Sequence, residues 1–295
     1  MIDAHHHIWR QKDLPWLLGP EMPRIFGPYG PIKRDYLIEE FLKDIAGTGV
    51  EKSVYVQANW APNWFADEIA WVESVAMQTG WPHAIVGFLD FTQKDLRPAL
   101  DKLSESSRLR GFRQQFHWHD KPLYRFASGP AQFVSDRVRA NIGALAGYGY
   151  SFDLQVFPAQ MADAADLADA CPDVTFILQH AGMLEDQSDE GWATWRGAMM
   201  NLAARKNVVA KLSAFGTFIR RNDPDFIGKM VRETVKIFGA DRCMFGSNFP
   251  IEKLWTSYAE LFAAFQTAAA GLKPAEQKQI FNDTAARVYR LDQGD

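Results

Sequence analysis

The stretch IDAHHHIWR opens the chain with one acid, Asp3, three consecutive histidines, His5, His6 and His7, and then Trp9. Imidazole titrates near neutral pH and carries a lone pair, so such residues suit proton transfer or metal ligation. A purification tag would be longer and flanked by linkers, whereas this run sits in an apolar, strand-like segment. In an extended strand alternate side chains share a face. Asp3, His5 and His7 are therefore expected on one face, and Ile2, Ala4, His6 and Ile8 on the other. That leaves His5-x-His7 as the chemical pair and His6 as a packing residue.

Further polar residues punctuate later apolar runs: Gln57, Asp90, Arg113, Asp153 and Gln155, His180, Lys211 and Ser213, and Asn248. Buried polar groups are costly without partners, so their recurrence at the ends of such runs asks for a shared purpose. Arg113 offers a planar fork for a carboxylate or a polarised carbonyl oxygen; a structural pairing with Asp90 or Asp153 is the alternative. Lys211 could hold a substrate carboxylate or a developing oxyanion, or sit in a structural salt bridge. His117 and His119 follow Arg113 on a loop and are candidates for substrate contact or proton transfer, with Gln57 and Gln155 as hydrogen-bonding partners of a substrate. His83 precedes its apolar run and is expected to be structural.

The elements that must position these residues alternate. Eight short β-branched or aromatic runs recur, near 1–8, 52–58, 84–90, 109–115, 150–156, 174–180, 208–213 and 242–248. Between them lie helical patterns: RDYLIEEFLKDIAGTG places Leu37, Ile38, Phe41, Leu42 and Ile45 on one side before a glycine stop. NWFADEIAWVESVAMQTG, PAQMADAADLADAC and DPDFIGKMVRETVKIFGA repeat the theme. Strands alternating with helices imply parallel pairing, and eight units predict a single-domain (β/α)₈ barrel over residues 1–295. A doubly wound sheet is the competitor, but no glycine-rich phosphate turn follows the first strand. The Pro- and Gly-rich stretch 10–33 is too long for a simple connection and reads as a lid or pocket wall, with a purely structural loop excursion as the alternative. The last helix, within PAEQKQIFNDTAARVYRL, is expected on the outside. In such a barrel the chemistry gathers where strands end.

Composition narrows the partners. A net charge of −4 gives no reason to expect nucleic acid or an anionic membrane surface. No run of ~18 apolar residues predicts a membrane span. No basic-then-apolar leader precedes the histidine strand, and only Cys171 and Cys243 are present. A reducing, cytoplasmic setting and a small-molecule substrate are expected; the oligomeric state is left open.

DAHHHIW, GFRQQ, LQHAGM, AKLSAFG and RCMFGSNFP follow one another in an order and spacing that resemble the amidohydrolase superfamily, in its amidohydrolase-2 branch of sugar-acid lactonases and related lactone hydrolases. The resemblance spans essentially the whole chain. It implies the barrel, an HxH pair on strand 1, a histidine on strand 6 and usually an aspartate on strand 8. Those positions are His5, His7, His180 and Asn248. The last departs from the pattern: an amide has no basic site at neutral pH and can only exchange hydrogen bonds. Gln155 stands where other branches place a strand-5 ligand, and Arg113 where a bridging group would sit on strand 4, so a two-metal centre is not expected.

Three readings follow. One divalent metal, zinc by ligand type, held by His5, His7 and His180 could acidify a water. A neutral histidine could act as base with no metal. Or the chemistry is not hydrolysis. Glu252, four residues past Asn248, is an outside candidate for the missing base. The resemblance implies a hydrolase that opens a lactone of a small polar, anionic molecule, carbohydrate-acid-like or muconolactone-like. A lactone isomerase, a non-oxidative decarboxylase, or a binding protein without catalysis are the alternatives.

Overall fold

The computed structural model describes residues 1–291; the last four residues of the expected span lie outside them. Eight strands, β1 (Ile2–His6), β2 (Lys52–Val56), β3 (Ala84–Gly87), β4 (Leu109–Phe112), β5 (Ser151–Leu154), β6 (Phe176–Leu178), β7 (Val208–Leu212) and β8 (Cys243–Phe245), pair in sequence order, all parallel. β8 and β1 do not form a regular ladder. They meet just past β8, where Asn248 N donates to His5 O at 2.7 Å and His7 N to Phe249 O at 2.8 Å. This nearly closed sheet with surrounding helices is the (β/α)₈ barrel that the alternation predicts.

Strand alternation separates two apolar layers. Ile2, Ala4, Val54, Val56, Ala84, Val86, Ile177, Val209 and Met244 pack together inside the barrel. Tyr55, Ile85, Phe112, Leu154, Leu178, Leu212 and Phe245 join the larger layer shared with the helices. The helix Ile38–Asp44 buries Ile38 and Phe41 there, as its periodicity requires, while Leu37 stays partly exposed because it precedes the helix as its cap. Phe65–Thr79 stops at Gly80, whose φ of 79° is a left-handed value that suits glycine. Pro224–Phe238 starts where the Asp223 carboxylate accepts from Phe226 N at 3.0 Å. None of the described helices is long and apolar enough to cross a membrane.

The expected facing of β1 needs correction. Asp3 does not share a face with His5 and His7: it points outward, accepting from Tyr258 Oη and Ser247 N, each at 2.9 Å. Ile2 and Ala4 are the inward pair. Asp3 pairs with Ser53 but His6 with Tyr55, so two residues of β1 stand against Val54 alone. That bulge inverts the alternation. It turns His5 and His7 inward and His6 outward, where its ring stacks on Phe41 at 3.9 Å between centroids.

The last helix also differs from expectation. Instead of lying outside the barrel, Thr284–Tyr289 puts Ala285, Ala286 and Tyr289 into the inner apolar cluster and closes the barrel's N-terminal end. Two small residues on one face let the helix approach the barrel opening, and Tyr289 fills it. The 10–33 stretch folds over the opposite end. Trp9 pairs with Tyr36 through backbone bonds of 2.7 and 2.9 Å, and Trp16 stands among Trp9, Phe26 and Tyr29.

Candidate active site

A cavity of about 320 Å³ opens at the C-terminal ends of the strands. His7, Arg113, His117, Gln155, His180 and Asn248 form its polar floor, and loops 23–26 and 122–126 contribute upper walls. Three floor residues, His180 (φ 56°), Ala214 (φ 57°) and Asn248 (φ 57°), adopt left-handed backbone just after β6, β7 and β8. Such strained conformations in non-glycine residues cost energy and gather at functional sites. Asparagine tolerates this backbone better than most residues.

The imidazoles are neutral by environment. His5 lies completely buried between His7 and His180, with ring centroids 5.1 and 4.9 Å away. Both of its ring nitrogens lack a partner. His7 donates from Nδ1 to Val56 O at 2.6 Å, which leaves a lone pair on Nε2. His180 Nδ1 pairs with Ser213 Oγ at 2.8 Å. Burial, followed by Arg113, pulls His7 down to about 3. Burial likewise lowers His180, with Arg113 next, and His5, with Lys211 next. His117, also on the floor, is lowered to about 3 by burial and then Arg113.

Arg113 is 3% exposed, donating from Nη2 to Gln57 O at 2.7 Å and from Nη1 to Gln155 Oε1 at 3.4 Å, while its Nε has no acceptor. Neither Asp90 nor Asp153 pairs with it directly: Asp90 accepts from Thr92, Gln93 and Gln114, and Asp153 from Lys211 and Gln179. Burial lowers the guanidinium to about 10, still charged at neutral pH. Asp153 and Glu68 offset part of its charge from a distance, and a buried cation with no direct carboxylate partner on a cavity floor suits an anion.

Several expected substrate contacts lie elsewhere. Lys211 is fully buried, 2.8 Å from an equally buried Asp153 and beside the Tyr289 ring, beneath the floor and off the cavity wall. Its position fits the structural salt bridge. His119 also stands off the wall; Nε2 meets Glu185 Oε1 at 3.2 Å and Nδ1 accepts from Lys121 N. Gln57 turns its side-chain oxygen to Asn59 N at 2.7 Å and supports Arg113 through its backbone. Within the 10–33 stretch Trp16, Arg24 and Phe26 stand on the cavity wall, while sequence reasoning missed Phe126 and Phe218, which sit on later irregular loops without periodic signal.

Glu252 stands behind Asn248. It is 1% exposed and accepts from Trp255 Nε1 at 2.8 Å, and the Asn248 side chain hydrogen-bonds both this carboxyl and His7. Gly216 passes so close that a Cβ there would meet Glu252 Oε2 at 2.5 Å. Burial pushes the carboxyl up to about 8, against the opposing bonds from Trp255 and Asn248. The folded chain thus holds a proton that the unfolded chain releases near pH 4.5, so stability falls as pH rises from there toward 8. Glu252→Gln, which mimics the neutral form, should flatten that slope by up to about 1.4 kcal/mol per pH unit. Denaturation midpoints across the window check this; parallel slopes in the two proteins contradict a neutral buried acid.

Neutral imidazoles with free lone pairs are the donor chemistry that zinc prefers, and both ring nitrogens of His5 are without a partner. In chemistry the set fits one divalent ion. As placed, however, no group of three or more His, Cys, Asp or Glu side chains among the described residues is arranged to hold a metal.

The comparisons agree with this architecture. A family model described as amidohydrolase matches residues 2–291. An uncharacterized protein of Sinorhizobium fredii, y4mH, is 36% identical over 99% of this chain and 98% of its own length. An L-fucono-1,5-lactonase of Burkholderia multivorans is 30% identical, with 98% of this chain and 96% of that one covered. The crystal structure of an amidohydrolase from Burkholderia multivorans with bound zinc superposes with a TM-score of 0.82 at 28% identity, covering 98% of each chain. Barrel, strand-end histidines and full-length matches lead to one assignment: the chain belongs to the amidohydrolase family and is an enzyme of its hydrolase type.

Proposed function

We propose that the protein is a lactonase that opens the cyclic ester of a small anionic molecule. The observation that carries this reading is Arg113, an unpaired buried cation beside neutral imidazoles on the cavity floor. The relatives named as lactonases support the same reaction class. Water attacks the lactone carbonyl, the water oxygen bonds to carbon, the ring C–O bond breaks, and the proton passes to the leaving alkoxide. Arg113 lines the cavity floor, and its charge stabilises the oxyanion as it forms. The burial and cations that keep His7 and His180 neutral also make them reluctant bases at rest. An oxyanion beside Arg113 relieves that penalty, so protonation of an imidazole becomes easier as the reaction advances. Asn248, held between His7 and Glu252, orients water or carbonyl through its amide. A divalent ion, zinc by ligand preference, would be held by His5, His7 and His180 and would supply an acidified water.

The test is a lactone panel read by acid release, run with and without chelator, with CO₂ measured in parallel. Acid release without CO₂ supports ring opening. Loss of rate on chelation and recovery with zinc supports a metal; unchanged rate supports a metal-free imidazole base. Arg113→Met should lower kcat/KM on anionic lactones by about tenfold or more, as loss of one charge-assisted contact does. Equal rates for wild type and variant would remove Arg113 from the mechanism.

A further inference from the structure

The cavity changes character with height. Its floor is polar, but Trp16, Phe26, Phe126 and Phe218 supply flat apolar surface above it. Trp16 and Phe26 are edge-to-face at 6.4 Å. Leu123 and Phe126, on the 122–126 loop, both line this mouth and are both exposed, at 41% and 48%. Contiguous exposed apolar surface at a cavity rim is a binding feature. No Asp or Glu lines the cavity among the described residues, so the upper walls offer no carboxylate to accept from the hydroxyls of a sugar ring.

Two cations stand in this upper half, and they are not equivalent. Arg125 stacks over Trp118 and spends its donors on the carbonyls of His119 and Asp120, bracing its own loop. Arg24 stacks over Trp16 with its guanidinium carbon 5.5 Å from the ring centroid. Its buried Nε has no acceptor. Its fork has no carboxylate partner among the described residues, and a guanidinium on a cavity wall beside an aromatic face recognises a carboxylate.

We infer that the upper half of the cavity is a subsite for a flat apolar substituent, an aryl group or a conjugated chain, bearing a carboxylate at its far end, which Arg24 receives. This names a substrate class for the hydrolase reading above and rests on it. The rings supply the area and Arg24 the selectivity. A lactone whose body is a polyhydroxylated sugar ring would leave its hydroxyls against aromatic faces and is selected against.

Two measurements test this and separate it from the reaction itself. The first compares kcat/KM for dihydrocoumarin, a dihydrocoumarin carboxylated on its aromatic ring, and L-fucono-1,5-lactone. The carboxylated compound should exceed plain dihydrocoumarin by about tenfold or more, with the sugar lactone lowest, and Arg24→Met should erase the ratio between the first two. The second is calorimetric binding, without turnover, of an aryl dicarboxylate and of L-fuconate. The aryl dicarboxylate should bind about tenfold more tightly or better, and Arg24→Met should remove the advantage. If no lactone is opened but the binding preference is present, the hydrolase reading fails and the subsite stands. Lactones opened with the sugar compound preferred, or with an unchanged ratio in Arg24→Met, overturn the subsite and leave the hydrolase reading. Neither turnover nor preference overturns both.

Discussion

Lys211→Met is expected to cost about 3–5 kcal/mol of folding stability, the usual consequence of removing one partner from a buried ion pair. Lys211 and Asp153 are both fully buried at 2.8 Å, and the variant would leave the carboxylate with only Gln179 Nε2 at 2.9 Å and a distant Arg113. Burial already raises Asp153 and lowers Lys211, so each depends on the other to stay charged. Removing both, as Asp153→Leu with Lys211→Met, should recover most of the loss, because an apolar pair of similar volume carries no desolvation cost. Urea titration of the single and double variants measures this. A raised KM with unchanged stability in Lys211→Met would instead make the lysine a substrate contact.

Lys211 also shows where sequence reading reaches its limit. Its strand and its inward phase follow from VVAKLSA, but depth along the barrel axis does not. Arg113, one residue beyond β4, reaches the cavity, whereas Lys211, inside β7, stays below it. Strand and helix periodicity made the barrel legible: Ile38 and Phe41 mark one buried face, and Gly80 and Asp223 mark helix ends. The β1 bulge left no mark, because it is defined by the pairing of Asp3 and His6 with β2 rather than by β1 alone. Likewise Ala285 and Ala286 read as an ordinary helical face until the barrel opening they enter is known. Glu252 was visible as a nearby acid, but its seat behind Asn248 depends on Trp255 and on Gly216, far apart in sequence. The upper walls were least legible, since Arg24 and Phe218 come together only through loop conformation.

The largest effect on turnover is expected at the three inward histidines. His7→Ala and His180→Ala should each lower kcat by about 10²–10⁴-fold, the range for losing a group that transfers a proton. His5→Ala should fall in the same range, because its ring lies against both His7 and His180 and its ring nitrogens have no other partner. His6→Ala is the internal control. Its ring lies on the helix side of the sheet against Phe41, so its loss should open a cavity there and cost about 2–4 kcal/mol of stability. At temperatures where the variant remains folded, its turnover should persist. Paired melting curves and steady-state rates for the four alanine variants separate the two sides of β1. Turnover lost with His6 and kept without His5 or His7 would mean that the bulge does not invert the strand. Loss in all four at equal stability would mean that the helix face of β1 also reports to the cavity. The same four variants discriminate proton transfer from simple support: an imidazole that moves a proton changes the shape of the pH–rate profile when removed, whereas one that only props its neighbour lowers the rate at every pH alike.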